Sequence, residues 1–289
     1  MDVGPIGRMN LILRTMTFED IPTALRLKDA AGWNQTASDW ARFISASPEG
    51  CFVMEYQGDV IGTSATIAYE GRFAWIGMLI VDEQYRGQGI GTTLLEHTIR
   101  FLDSQNIPTM KLDATPQGKP LYERLGFMSE YDIERWMLSR TVKEKAVEAE
   151  NGPISIEDVL RIDREIFGAN RSGLLRSLAQ EAPHLTLVEQ QEGKITGYSF
   201  GRLGSRADHM GPWVARSKDV AEKLLDLFLF RSSKELIFVD CLRINPWALQ
   251  LVKTRGFEFS RSLTRMYLGT NKYAGQTELL CASLGPEFG

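Results

Sequence analysis

Runs of alternating apolar and polar residues take turns with amphipathic runs along the chain, the pattern of strands interleaved with helices. Leu11–Arg14 reads as the first strand. Glu19-Asp20-Ile21-Pro22 then opens a helix, with acids in its first turn and an early proline, and Ala24, Leu25, Leu27 and Ala31 share one face. Gly32-Trp33-Asn34-Gln35-Thr36 breaks that helix, and Ser38 or Asp39 caps a second through Trp40, Phe43 and Ile44. Cys51–Tyr56 alternates as a strand, Gln57-Gly58-Asp59 turns it, and Val60–Tyr69 returns. Phe73–Val81 is strongly apolar, the mark of a strand central in its sheet. A glycine-rich loop leads from it into a helix over Gly91–Asp103. Met110–Ala114 is a short strand, Lys119–Leu125 a short helix stopped by Gly126, and Tyr131–Ser139 a closing strand.

Thr141–Gly152 is charged and lacks large apolar residues, so it reads as a linker or a solvated helix. Beyond it the same order of features begins again. Ile156-Glu157-Asp158-Val159 echoes Phe18-Glu19-Asp20-Ile21, and Gly193-Lys194-Ile195-Thr196-Gly197 echoes Gly58-Asp59-Val60-Ile61-Gly62. Arg255-Gly256-Phe257 echoes Leu125-Gly126-Phe127, and the offset shrinks along the chain as it would if loops had shortened in one copy. Three echoes in one order point to an internal duplication. The expected division is a first half over residues 10–140, a linker over 141–153, a second half over 154–275 and a tail over 276–289. The 289 residues suffice for two domains.

Composition narrows the chemistry. A chain of this length with 43% hydrophobic and 24% charged residues can bury a core without disulfides or metals. A net charge of -4 argues against a broad nucleic-acid surface. Cys51, Cys241 and Cys281 are far apart, His97, His184 and His209 equally scattered, and no CxxC occurs, so neither a disulfide framework nor a metal site is expected. No apolar run approaches the length of a membrane span, and Met1 to Asn10 lacks the basic-then-apolar pattern of a signal peptide. The expectation is a soluble cytoplasmic protein that contacts neither membrane nor nucleic acid.

The segment richest in chemistry is Arg86-Gly87-Gln88-Gly89-Ile90-Gly91, which follows an apolar strand and opens a helix. Glycines let the backbone turn tightly without side chains in a ligand's way. The first helical amides lack internal partners and sit at the positive end of the helix dipole, so the loop suits a phosphate or pyrophosphate. A dinucleotide fingerprint needs a different glycine spacing, with Thr92 standing where its last glycine belongs, and a P-loop needs a Gly-Lys-Ser/Thr ending. Both are poor fits.

Arg86-x-x-Gly89-x-Gly91 after Leu79-Ile80-Val81 resembles the acetyl-CoA signature of the GNAT N-acetyltransferase superfamily, and Leu121-Tyr122-Glu123-Arg124-Leu125-Gly126-Phe127 resembles that family's Leu-Tyr-x-x-x-Gly-Phe stretch. The likeness is good over Leu11 to Ser139, and the second half shares the fold pattern only. The whole resembles two-domain members in which a degenerate copy follows an active one.

The resemblance implies an α/β (α+β) fold of tandem GNAT-like domains, each a mixed, mostly antiparallel, splayed sheet flanked by helices. It implies acetyl-CoA as co-substrate, its pyrophosphate on the amides of Arg86, Gly87, Gln88, Gly89, Ile90, Gly91 and Thr92. Pantetheine would pair with the backbone of Leu79, Ile80 and Val81 like an added strand. It implies direct attack by an amine, with Tyr122 as general acid beside the sulfur. Asp113 is the candidate general base, with a loop cap as its structural alternative. Trp33, Asn34 and Gln35, with Trp40 nearby, would line the acceptor pocket, the core being the other place for both tryptophans. In the second half the loop after Val214, Ala215-Arg216-Ser217-Lys218-Asp219-Val220, holds no glycine, and Val252 stands where Tyr122 stands in the first, so that half is expected not to catalyse. The expected activity is acetyl transfer to the primary amine of a small molecule. An acyl-CoA-binding module without turnover and a protein or peptide acetyltransferase are the alternatives.

Overall fold

Two capping boxes start the first two helices. The Thr17 amide donates to Asp20 Oδ2 at 2.8 Å across the 3-10 turn Phe18–Asp20 that runs into α1 (Ile21–Ala30), and the Thr36 amide to Asp39 Oδ2 at 2.9 Å ahead of α2 (Ala37–Ala46). The second cap is therefore Thr36, and Asp39 is its reciprocal partner; Ser38 lies inside the helix. The structure is a computed structural model that describes residues 10–142 and 155–289. The expected linker from residue 143 onward, and the opening residues 1–9, lie outside the described residues.

The chain forms two compact units, and their boundaries do not follow the two halves of the repeat. The first unit takes residues up to 68 together with 76–107. Its strands follow the order β1 (Leu11–Thr15), β2 (Cys51–Tyr56), β3 (Asp59–Tyr69) and β4 (Phe73–Val81). β2 and β3 form a hairpin about Gln57-Gly58, both with positive φ, as two-residue hairpin turns require. Helix α3 (Ile90–Ser104) packs Ile90 and Leu94 onto Phe52, Met54 and Ile61.

The second unit takes residues 69–75 and 108–289. Its elements are β5 (Thr109–Ala114), α4 (Lys119–Arg124), β6 (Met128–Ser139), α5 (Ile156–Phe167), α6 (Ser172–Glu181), β7 (Leu187–Gln191), β8 (Lys194–Leu203) and β9 (Asp208–Ala215). They continue with α7 (Lys218–Arg231), β10 (Leu236–Leu242), α8 (Pro246–Thr254), β11 (Glu258–Gly269) and β12 (Leu280–Ala282). Strand order is β5-β11-β6-β10-β12-β9-β8-β7. The first residues of β4 add to β5 in parallel, Ala74 opposite Met110 and Trp75 opposite Lys111. β9 and β10 are also parallel, and the other registers of this unit are antiparallel.

That order exchanges the closing strands of the two halves. β6, from the first half, pairs with β10 of the second, and β11, from the second, pairs with β5 of the first. Two buried ion pairs fix the exchange. Arg265 faces Asp113 across β11 and β5, with Nε and Nη2 each 2.9 Å from a carboxylate oxygen. Arg135 faces Asp240 across β6 and β10, both contacts at 2.7 Å. Asp is the fifth residue of β5 and of β10, and Arg the eighth of β6 and of β11, so each half offers the acid that the other half's arginine takes. Removing one partner leaves a buried charge unpaired. Asp113→Ala is expected to cost about 3–5 kcal/mol in denaturant unfolding. Asp113→Leu combined with Arg265→Met should recover most of that loss; a double variant as unstable as the single one would show that the pair is not the cause.

Candidate active site

Strand β4 ends at Val81, and a short turn, residues 83–85, leads into the loop. The turn is braced from below. Asp82 accepts the Gln84 amide at 3.1 Å and pairs with Arg26 at 3.0 Å, so this carboxylate is committed, while Glu83 is exposed. Arg86 folds its Nε back onto the Val81 carbonyl at 3.1 Å, which keeps its charge at the loop. Gly87 and Gly89 both have positive φ, at 76° and 82°, and a side chain at either would meet nothing within 4 Å. Gly89 is the N-cap of α3 and supplies no side-chain cap. The Arg86 amide, expected to join the anion seat, donates instead to the Glu83 carbonyl at 3.3 Å; among the described residues, the amides of Gly87 through Thr92 have no hydrogen-bond partner, and the first helical bond of α3 is the Thr93 amide to the Gly89 carbonyl at 2.9 Å. The loop is thus exposed and positive at its amides, a seat suited to a diphosphate.

One feature of this region escaped the sequence reading. Met78, in mid-β4, has φ of 54°, and its carbonyl accepts from Thr63 Oγ1 at 2.7 Å. A left-handed residue other than glycine inside a strand breaks the regular alternation of amides and carbonyls, and such outliers gather where a backbone meets a ligand. The available signal was Gly77, since an isolated glycine within a strand pattern marks a bulge or a close approach.

The connection between α1 and α2 lies in the same unit and carries Trp33, Asn34 and Gln35. Trp33 is half-buried with its amide on the Lys28 carbonyl, whereas the two amide side chains are buried. Trp40 is fully buried and belongs to the core.

Tyr122 and Asp113 lie in the second unit. Tyr122 sits on α4 with its ring edge-on to Phe127, centroids 6.0 Å apart. Its hydroxyl has no hydrogen-bond partner among the described residues, and burial pushes its pKa up to about 12. The Asp113 side chain is fully buried with both oxygens on Arg265, and among the described residues it makes no cap to the following loop. Burial pushes its carboxyl above the ordinary value, against the pull of Arg265.

The second half lacks the equivalent seat. Ser217 caps α7, and its hydroxyl takes the Val220 amide at 3.4 Å. Val252, in place of Tyr122, is buried core. Among the described residues no group of three or more His, Cys, Asp or Glu could hold a metal, and no helix is long and apolar enough to cross a membrane.

Two families match the chain. Residues 17–127 match the family described as "Acetyltransferase (GNAT) family", and residues 159–282 one described as "Acetyltransferase (GNAT) domain". The chain is 26% identical over 211 residues to "Uncharacterized N-acetyltransferase YitH" of Bacillus subtilis (strain 168), covering 72% of this chain and 74% of that protein. It is 32% identical to "N-alpha-acetyltransferase 30" of Dictyostelium discoideum over 91 residues, 29% of this chain and 49% of the relative. Among solved structures, a candidate acetyltransferase from Pyrococcus horikoshii superposes with a TM-score of 0.79 at 24% identity, covering 100% of this chain and 99% of the other. A GCN5-related N-acetyltransferase from Sphaerobacter thermophilus superposes at 0.66 and 16% identity, covering 90% and 95%. At these identities the superpositions speak for the fold.

Proposed function

The chain belongs to the GNAT acetyltransferase family, with two GNAT domains in tandem, and from that premise we propose that its first half, residues 10–140, transfers the acetyl group of acetyl-CoA to the primary amine of a small molecule. The observation that carries this reading is the row of amides from Gly87 to Thr92 at the mouth of α3 that have no partner among the described residues. They would hold the diphosphate, with Arg86 adding charge and the backbone of Leu79, Ile80 and Val81 offering an edge to pantetheine.

The chemistry then needs few groups. The neutral amine attacks the thioester carbonyl and forms the C–N bond. The tetrahedral intermediate expels the thiolate as the C–S bond breaks, the amine gives up a proton to solvent, the thiolate takes one from Tyr122 Oη, and the phenolate regains one from solvent before the next turnover. A positioned acid of this kind contributes roughly 10²–10⁴-fold. The left-handed Met78 supports a backbone amide of β4 as partner for the developing oxyanion. Asp113 takes another role in this reading than the sequence suggests. Its duplicate Asp240 makes the same arginine pair in the half without a phosphate seat, so Asp113 holds the exchanged strand, and the amine's proton leaves to solvent. Trp33, Asn34 and Gln35 are the acceptor-facing candidates. The three cysteines are free and buried, in keeping with a reducing cytoplasm.

A second reading, transfer to the α-amino group of a peptide, draws on the local likeness to a protein named as an N-alpha-acetyltransferase. Acetyl-CoA at a hundred times its Kd should raise stability by about 2.7 kcal/mol in a thermal-shift titration, and NADH should not. Thiol release is then measured with amino acids, polyamines, amino sugars and peptides with free N-termini. Turnover confined to small amines supports the first reading, and turnover confined to peptides replaces it with the second. Acetyl-CoA binding without thiol release on any amine would leave a regulatory module.

A further inference from the structure

In the second half, β9 and β10 run parallel over three pairs, Asp208 opposite Ile237, His209 opposite Phe238 and Met210 opposite Val239. There their register ends, and β12 enters between them. Ala282 pairs antiparallel with Cys241 of β10 on one side. On the other, Leu280 and Ala282 pair with Val214 and Trp213 of β9. In the repeat, β9 and β10 are the counterparts of β4 and β5, and Trp213-Val214 stands where the strand end at Val81 stands in the first half.

We propose that Leu280–Ala282 is a resident strand in the place that pantetheine takes in the first half, so that the second half accepts no acyl-CoA and the chain binds one coenzyme thioester. The inference rests on the reading of β4 given above. Several contacts hold the strand in its slot. Cys281 and Ala282 are fully buried, and the Ser283 amide donates to the Asp240 carbonyl at 3.0 Å. Asn245, the N-cap of α8, takes the Trp247 and Ala248 amides on Oδ1 and reaches the Leu280 carbonyl with Nδ2 at 3.4 Å. A Cβ at Gly211 would stand 2.0 Å from the Ser283 carbonyl oxygen, so the segment passes β9 at a point only glycine allows. The second half is therefore closed twice over. Its helix mouth is capped by Ser217, and its strand slot is filled by the chain itself, through backbone pairing of the kind an extended ligand uses.

Calorimetric titration with acetyl-CoA, joined to hydrogen exchange on the unmodified chain, tests this. One equivalent should bind. The amides of Leu280 and Ala282 should exchange at least about 100-fold more slowly than in an unstructured peptide, with or without saturating acetyl-CoA, while those of Gly87–Thr92 slow on binding. A second equivalent bound, or faster exchange at 280–282 on saturation, overturns the inference and leaves the first-half site standing. No binding, or binding without change at Gly87–Thr92, overturns the reading of the first half and this inference with it.

Discussion

Tyr122→Phe is expected to lower kcat by roughly 10²–10⁴-fold while acetyl-CoA binds as before. The substitution removes one hydroxyl and keeps the ring against Phe127, so the packing of α4 survives. The hydroxyl makes no structural hydrogen bond among the described residues, which separates loss of a proton donor from loss of fold. A sign follows for the pH profile. The active form of a general acid is the protonated one, and burial raises this phenol to about 12. Tyr122 therefore stays protonated through the neutral range, and its ionisation should remove activity only as pH approaches 12. A basic limb near neutrality would belong to another group. Unchanged kcat in the phenylalanine variant would take Tyr122 out of the mechanism.

Gly89→Val is expected to weaken acetyl-CoA by about 100-fold, read as KM or as Kd, with much smaller change in kcat at saturation. Gly89 has φ of 82°, a conformation that costs other residues roughly 1–2 kcal/mol. A branched side chain there also turns the following amides away from a bound anion. Hydrogen bonds to a charged group are worth about 1.5–3 kcal/mol each, so losing one or two accounts for the factor. Gly58→Val, at a positive-φ hairpin position far from the helix mouth in sequence, is the control. It should lose stability without changing acetyl-CoA affinity once folded. Equal loss of affinity in both variants would make the effect one of folding.

Much of this is legible in the sequence. β4 runs over Phe73–Val81 as its apolar run indicates, and the loop sits between that strand and a helix as the glycine spacing suggests. Periodicity works here because a strand buried on both faces and a helix with one apolar face leave different marks. It names faces rather than partners, and so Tyr131–Ser139 reads as the closing strand of the first half when β6 in fact pairs with β10 of the second half, and β11 of the second half with β5 of the first. The clue was the repeated placement of Asp113 and Asp240 on inner strands and of Arg135 and Arg265 on closing strands. A charge in a strand shows that it needs a partner but not which strand supplies it. The same blindness made Asp113 a base candidate, because sequence cannot show that Arg265 holds both its oxygens. The sequence points to Ser38 or Asp39 as the cap that Thr36 in fact provides, since three capping residues stand close together and only backbone geometry separates them. β12 has three residues, too short for any period to show.

The account depends on the seat at the mouth of α3, and a crystal structure of the chain with acetyl-CoA bound tests it most directly. The expected result places diphosphate oxygens within about 2.7–3.2 Å of amides between Gly87 and Thr92. Density for the coenzyme that leaves those amides facing solvent, with the diphosphate held elsewhere, would contradict it.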